Sequence, residues 1–345
     1  MLLFLDQKND LHADWVEAEC RLRDQDFLRL CTEDFPQRIR LSLRYRGAEL
    51  GGSLRLPDRQ VCLDEIRGVW HRRPGAPLLP ADLPREYRAF VLRECRAFLL
   101  GLYRALHDRR WLNPPHRDGG AHKLAQLRLA AQLGLTIPPT LVTNDPREVP
   151  PFFEACRGRM IYKPLGYSIV GHPQLGEAAI YTNVVERRHL EERLAAVAQA
   201  PCLFQERVPK SHELRVTVFG DRAWAAAIYS QESERTTVDC RHDLSSLRTE
   251  AVLLDPTLGS RCVRLTHRLG LRMGMLDLIV TPEGEHVFLE INPNGQWAWI
   301  EARTGLPLAT ALVDELLGVD TLSHHPYVRH RSLDFEPQTA IVGAA

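Results

Sequence analysis

Two apolar runs near the end of the chain, each interrupted by acidic side chains, constrain this protein more than any other feature. Met275-Leu276-Asp277-Leu278-Ile279-Val280 and Val287-Phe288-Leu289-Glu290-Ile291-Asn292 flank Thr281-Pro282-Glu283-Gly284-Glu285, a turn containing Pro and Gly. The pair reads as an antiparallel hairpin. Side chains alternate along a strand, so Glu290 and Asn292 share a face and Asp277 joins them from the neighbouring strand. The plain reading is the wet face of an amphipathic hairpin. Yet an unpaired charge is costly to bury among Leu, Ile, Val and Phe. Three oxygen ligands converging beside apolar residues describe a Mg²⁺ site, with phosphate oxygens completing its octahedron.

The chain has 345 residues, 44% of them hydrophobic, which suits an enzyme of two or three lobes around one cleft. No apolar stretch approaches the roughly 20 residues that span a bilayer. Met1-Leu2-Leu3-Phe4-Leu5-Asp6 lacks the basic flank of a secretory signal and reads as a first buried strand. Eight cysteines are scattered without a Cys-x-x-Cys pair, so neither a zinc site nor a disulfide scaffold is indicated, and a reducing cytoplasm is the expected setting. Lys+Arg and Asp+Glu balance at 44 each, which makes no case for a nucleic-acid or membrane partner. Only four of the basic residues are lysines, Lys8, Lys123, Lys163 and Lys210, against forty arginines. A lysine kept in such a chain is a candidate compact point charge, which the planar Arg fork does not replace. Lys123 and Lys163 are the foremost candidates.

Residues 1–115 read as an N-terminal α/β domain. It has a strand at 1–6, a helix around 13–24, strands at 39–45, 53–56 and 61–63, and one long helix from Pro84 to Arg110 with apolar residues at helical spacing. Residues 111–120, containing Asn113-Pro114-Pro115 and Gly119-Gly120, read as a linker. The interval 116–210 reads as a small central lobe. A helix at 121–133, ended by Gly134, precedes strands at 140–142, 159–163, 178–181 and 202–207 and helices at 147–156 and 186–198. Residues 211–325 are strand-rich, with strands at 214–219 and 222–229, the hairpin 275–291, and helices at 257–270 and 307–317 packed on that sheet. Residues 326–345 form a tail whose end is expected to be loosely ordered.

Lys163 ends the apolar strand Met160-Ile161-Tyr162-Lys163, before a loop with Gly166, Ser168 and Gly171. From there a lysine reaches phosphate oxygens, and backbone N–H groups of a small-residue loop close over them. Its plain alternative is a solvated edge charge. No Walker A motif exists in the chain. Cys202-Leu203-Phe204-Gln205-Glu206-Arg207-Val208-Pro209 is a strand running into a proline. Its backbone can pair with an adenine edge, and Glu213 can take ribose hydroxyls; an ordinary strand with a surface acid is the competing reading. In order and spacing, these segments resemble the ATP-grasp superfamily over about residues 111–320. The resemblance implies an α/β (α+β) fold with an N-terminal pre-ATP-grasp lobe and two lobes clasping ATP. It makes Lys123 and Lys163 the phosphate lysines, Glu206 and Val208 the adenine hinge, Glu213 the ribose ligand, and Asp277, Glu290 and Asn292 the metal ligands. The implied cofactors are ATP and Mg²⁺, with Mn²⁺ as the alternative metal.

Four further segments, Gly68-Val69-Trp70-His71-Arg72-Arg73-Pro74, Leu112-Asn113-Pro114, Glu213-Leu214-Arg215-Val216-Thr217 and Asn292-Pro293-Asn294-Gly295-Gln296-Trp297, are similar to the microviridin-type peptide ligases, or graspetide synthetases. That resemblance implies phosphorylation of a Glu or Asp side chain of a ribosomal precursor peptide by ATP. Displacement by a Ser/Thr hydroxyl or Lys amine then closes an ω-ester or ω-amide ring. The implied partners are a precursor peptide with its leader and, in a homodimer, a second copy of the chain. Such chemistry needs cations around spread negative charge, and Arg215 and Arg241 are the candidates. Family members often carry Asp-Trp-Arg where this chain has Asp239-Cys240-Arg241; Cys240 is read as packing rather than as a nucleophile. Arg72 and Arg73 are candidates for substrate or leader contacts, or a surface pair. Gln296, Trp297 and Trp299 either wall the substrate or pack under the last helix. His71, His116, His122 and His212 have no metal-like spacing. The alternative is an ATP-grasp carboxylate–amine ligase acting on small molecules or a protein C-terminus, like glutathione synthetase or the glutamate ligases.

Overall fold

Leu2–Asp6 is buried along its whole length, as an unbroken apolar run in a parallel sheet should be. In the computed structural model, which describes residues 1–118, 122–166, 169–172, 176–243 and 246–322, this strand lies between Phe27–Cys31 and Gly68–His71, and Arg110–Leu112 completes a four-stranded parallel sheet. Helix Leu11–Leu22 follows, its amides at His12 and Ala13 capped by the Asp10 carboxylate at 2.9 and 3.2 Å. A three-stranded antiparallel sheet (Arg40–Arg46, Glu49–Arg55, Gln60–Cys62) and the long helix Arg85–Ala105 share a core with one face of the parallel sheet.

The linker expected at 111–120 is not one among the described residues. Trp111 and Leu112 belong to the fourth parallel strand, Asn113 is fully buried, and Pro115–Asp118 is a short helix. The turn-forming Asn-Pro-Pro masked two buried apolar residues ahead of it. Residues 119–121 lie outside the described residues, as do Ser168 and the expected loose end of the tail.

A small antiparallel sheet orders Asn183–Val185, Met160–Lys163, Cys202–Glu206 and Thr140–Thr143. It buries Met160 and Phe204 against Val149, Phe153 and Val197. The strand expected at 178–181 lies earlier, at Gly176–Ala179, in a separate hairpin with Ile169–His172. Phe27–Cys31, Asn183–Val185, Thr249–Val252 and helix Ala298–Thr304 were not evident from the sequence. Each is short, and short runs carry little periodicity.

The largest sheet is antiparallel, in the order Thr249–Val252, Arg222–Ile228, His212–Phe219, Met273–Val280, His286–Asn292. One face packs helices Lys123–Gln132 and Pro256–Arg268 through Leu214, Val216, Val218, Leu276, Leu278 and Phe288. The opposite face changes character along its length. At one end Phe219, Met273 and Met275 join Leu2, Phe4 and Trp70 of the parallel sheet and Leu312 of helix Leu308–Leu317 in a single core. At the other end that face carries Glu213, Arg215, Asp277 and Glu290.

Candidate nucleotide and metal site

Backbone register puts the polar residues together. Arg215 pairs with Asp277, Asp277 with Glu290, Glu213 with Ile279, and Asn292 with Met275. Directly paired residues point to the same face, so Glu213, Arg215, Asp277, Glu290 and Asn292 form one patch across three strands. A bulge after Asp277 leaves Leu289 without a partner in the register, and Leu289 and Glu290 both line the cleft. Strict alternation would send Leu289 to the opposite face, which is why the sequence did not mark it. Bulges commonly re-aim side chains in this way beside functional sites.

This patch floors a cleft of about 390 Å³ roofed by the small sheet. All ten residues singled out from the sequence line it: Lys123, Lys163, Glu206, Val208, Glu213, Arg215, Arg241, Asp277, Glu290 and Asn292. Four others complete its chemistry. Ile161, Ile279 and Leu289 supply apolar wall, and Lys210 sits against Glu213 at 2.5 Å. Lys210 was legible as one of four lysines in an arginine-rich chain, whereas the apolar residues carried no signal beyond strand propensity.

Charges in the cleft are paired across it. Lys123 Nζ stands 3.2 Å from Glu290 Oε2 and donates to the Pro164 carbonyl at 3.0 Å, joining the strand His286–Asn292 to the segment after Lys163. Burial alone would raise the Glu290 carboxyl, but Lys123, Lys163 and Arg241 outweigh it and hold it below its ordinary range. Burial lowers Lys163, opposed by Glu290. Asp277 is pushed up to about 6, chiefly by burial and despite Arg215, whose Nε lies 2.5 Å from Oδ1. A divalent cation suits this arrangement. Two carboxylates paired across neighbouring strands and an amide oxygen offer hard donors only, and burial makes one of the carboxylates hold its proton more tightly than usual. Gly295 follows closely, and a Cβ there would meet the Met275 Cβ at 2.8 Å, so the turn after Asn292 requires glycine at this position.

Arg241 is aimed by Asp239, which accepts from its Nε at 2.8 Å and its Nη2 at 2.5 Å. Although burial opposes it, this pairing holds Asp239 well below the usual carboxylate range. Asp239 was quoted in the sequence motif but given no role there. Burial pushes the Cys240 thiol far up, with Glu213 beside it, so it stays protonated at neutral pH. Glu206 turns its side chain to Arg159 at 2.8 Å, and its amide donates to the Pro139 carbonyl at 3.0 Å.

Arg72 corrects the expectation of a leader contact or surface pair. It is 1% exposed, bonded to Asp10 at 3.2 Å, to His12 Nδ1 at 3.0 Å and to the Asn294 carbonyl at 2.8 Å. Arg73 is exposed. Trp297 and Trp299 are buried, the former edge-on to Phe219 and His12, so they pack rather than wall the cleft; Gln296 is exposed.

Comparison with known proteins gives the following matches. The family model for the MvdD pre-ATP-grasp domain matches residues 1–118. The crystal structure of macrocyclase MdnC of Microcystis aeruginosa MRC, bound with precursor peptide MdnA, superposes with a TM-score of 0.79 at 30% identity, covering 92% of this chain and 99% of that one. A RiPP-associated ATP-grasp ligase of Chryseobacterium gregarium, in complex with ADP and a leader and core peptide, superposes with a TM-score of 0.83 at 25% identity, covering 92% and 96%. A probable α-L-glutamate ligase of Rhodopirellula baltica is 28% identical over 197 residues, 56% of this chain and 46% of that protein. The chain spans about half the length of the curated relatives it matches. No helix among the described residues is long and apolar enough to cross a membrane.

Proposed function

Because this chain belongs to the ATP-grasp macrocyclases of ribosomal peptides, the graspetide synthetases, we propose that it closes ω-ester or ω-amide crosslinks in a precursor peptide at the expense of ATP. The observation that carries this is the convergence of ten residues, from both lobes, on one cleft. Bound ATP with Mg²⁺, or Mn²⁺ in its place, would supply the phosphoryl group that activates a Glu or Asp side chain of the peptide. In this reading Glu206 and Val208 hold the adenine edge between Ile161, Ile279 and Leu289, and Glu213, steadied by Lys210, takes the ribose. Lys123 and Lys163 hold phosphate oxygens, while Asp277, Glu290 and Asn292 hold the metal. Arg215 and Arg241 stabilise charge that develops on the transferred group, each kept in place by an acid, Asp277 or Asp239.

The peptide, with its leader, is the proposed partner, and a homodimer the proposed assembly. The similarity to glutamate ligases supports a second reading, ligation of an amine to a free carboxylate. One experiment separates the two. The chain is incubated with ATP, Mg²⁺ and an acidic, Ser/Thr/Lys-containing precursor peptide encoded nearby, and the peptide is weighed by mass spectrometry. Loss of one water per crosslink supports the macrocyclase; ADP release with an added amine and an undehydrated peptide supports the other.

A further inference from the structure

His286–Asn292 is the outermost strand of the large sheet, so alternate backbone groups on its free edge need partners from elsewhere. At Ile291, between Glu290 and Asn292, both are taken by one side chain. Gln126 Oε1 accepts from the Ile291 amide at 3.0 Å, and Gln126 Nε2 donates to the Ile291 carbonyl at 2.9 Å. The amide thus substitutes for a peptide unit of a missing strand, and Gln126 is 3% exposed. It lies three residues after Lys123 on the helix Lys123–Gln132, a spacing that puts both on one face. A single turn of this helix therefore grips the Glu290 carboxylate through Lys123 and the adjoining backbone through Gln126.

The segment beyond is held in the same manner. Asn113, wholly buried, donates to the carbonyls of Met273 and Pro293 at 2.8 and 3.1 Å and accepts from the Met273 amide at 3.0 Å. Arg72 reaches the carbonyl of Asn294. Three buried polar side chains from outside the sheet thus hold backbone groups of Ile291, Pro293 and Asn294.

We infer that Gln126 is a positioning residue of the metal site, fixing the relative placement of Glu290 and Asn292 through Ile291; this rests on the metal assignment proposed above. Side chains that orient metal ligands commonly command about 10- to 100-fold in metal affinity. Gln126→Met keeps the length and removes both hydrogen bonds to Ile291. Mn²⁺ binding to the ADP complex is read by electron paramagnetic resonance, and ADP binding in EDTA by calorimetry. The expected result is a drop in Mn²⁺ affinity of about tenfold or more, with metal-free ADP affinity unchanged. Should Gln126→Met not fold, Gln126→Asn, which keeps the amide but is one methylene too short to meet both Ile291 groups, carries the test, with a smaller drop expected. Wild-type Mn²⁺ affinity in a folded variant overturns the inference, as does an equal loss of metal and metal-free ADP affinity. Wild-type protein that binds ADP but takes up no Mn²⁺ removes the metal assignment itself, and the inference with it.

Discussion

At the residue scale, four cations of the cleft are each held by an acid, Lys123 by Glu290, Lys210 by Glu213, Arg215 by Asp277 and Arg241 by Asp239. Lys123 on Glu290 and Arg215 on Asp277 keep two carboxylates tolerable in a place where desolvation is costly. Glu290→Gln removes one hard anionic ligand while preserving shape and the neighbouring backbone bonds. ADP formation should fall by at least about a hundredfold, given the several kcal/mol that a metal ion contributes, with an unchanged melting temperature within a few degrees; coupled-assay rates and a thermal scan check both. Asp277, raised to about 6 by burial, must lose its proton to bind a cation. Metal affinity should therefore increase as pH rises through about 6 and level off above it, which a Mn²⁺ titration across pH measures. Three of the chain's four lysines line this cleft, as expected where a compact charge must meet phosphate.

At the element scale, helix Leu308–Leu317 is buried nearly all round and takes its start from Glu301, whose Oε2 accepts from the Ala309 amide at 2.7 Å. Burial raises this carboxyl to about 8. A folded-state value above the unfolded one means that the native state binds the extra proton. The stability it contributes is fully present below the ordinary carboxylate range and is lost as pH rises through about 8. Glu301→Gln should flatten that loss, so that melting temperatures of variant and wild type diverge, in the variant's favour, as pH rises from the ordinary carboxylate range to about 8. Parallel thermal melts across pH test it, and parallel curves would contradict the assignment.

At the scale of the whole molecule, the N-terminal sheet and the hairpin of Met273–Val280 and His286–Asn292 are one body. Leu2, Phe4 and Trp70 share a core with Met275, Trp297 and Leu312, and Arg72 ties Asp10 to the turn after Asn292. Arg72→Met leaves Asp10 buried without its cation, a loss of about 3 kcal/mol or more, and unfastens Asn294. Both stability in urea and ADP formation should drop, whereas Arg73→Ala, on the exposed neighbour, should leave stability in urea unchanged. Equal effects of the two variants would refute this division.

The sequence by itself determined what local chemistry determines. Hairpin alternation put Asp277, Glu290 and Asn292 on one face, and the strand-end position of Lys163, the scarcity of lysine and the order of motifs marked a nucleotide cleft. Tertiary structure decided what depends on partners distant in the chain. It turned Arg72 inward to anchor the hairpin's exit, made Asn113 a clamp instead of part of a linker, and placed Gln126 on a free strand edge. The bulge at Leu289 likewise needed the partner strand's register. Period and propensity report which way a side chain points along its own element, but the demand of a buried backbone group for a partner is met by whichever residue the fold brings within reach.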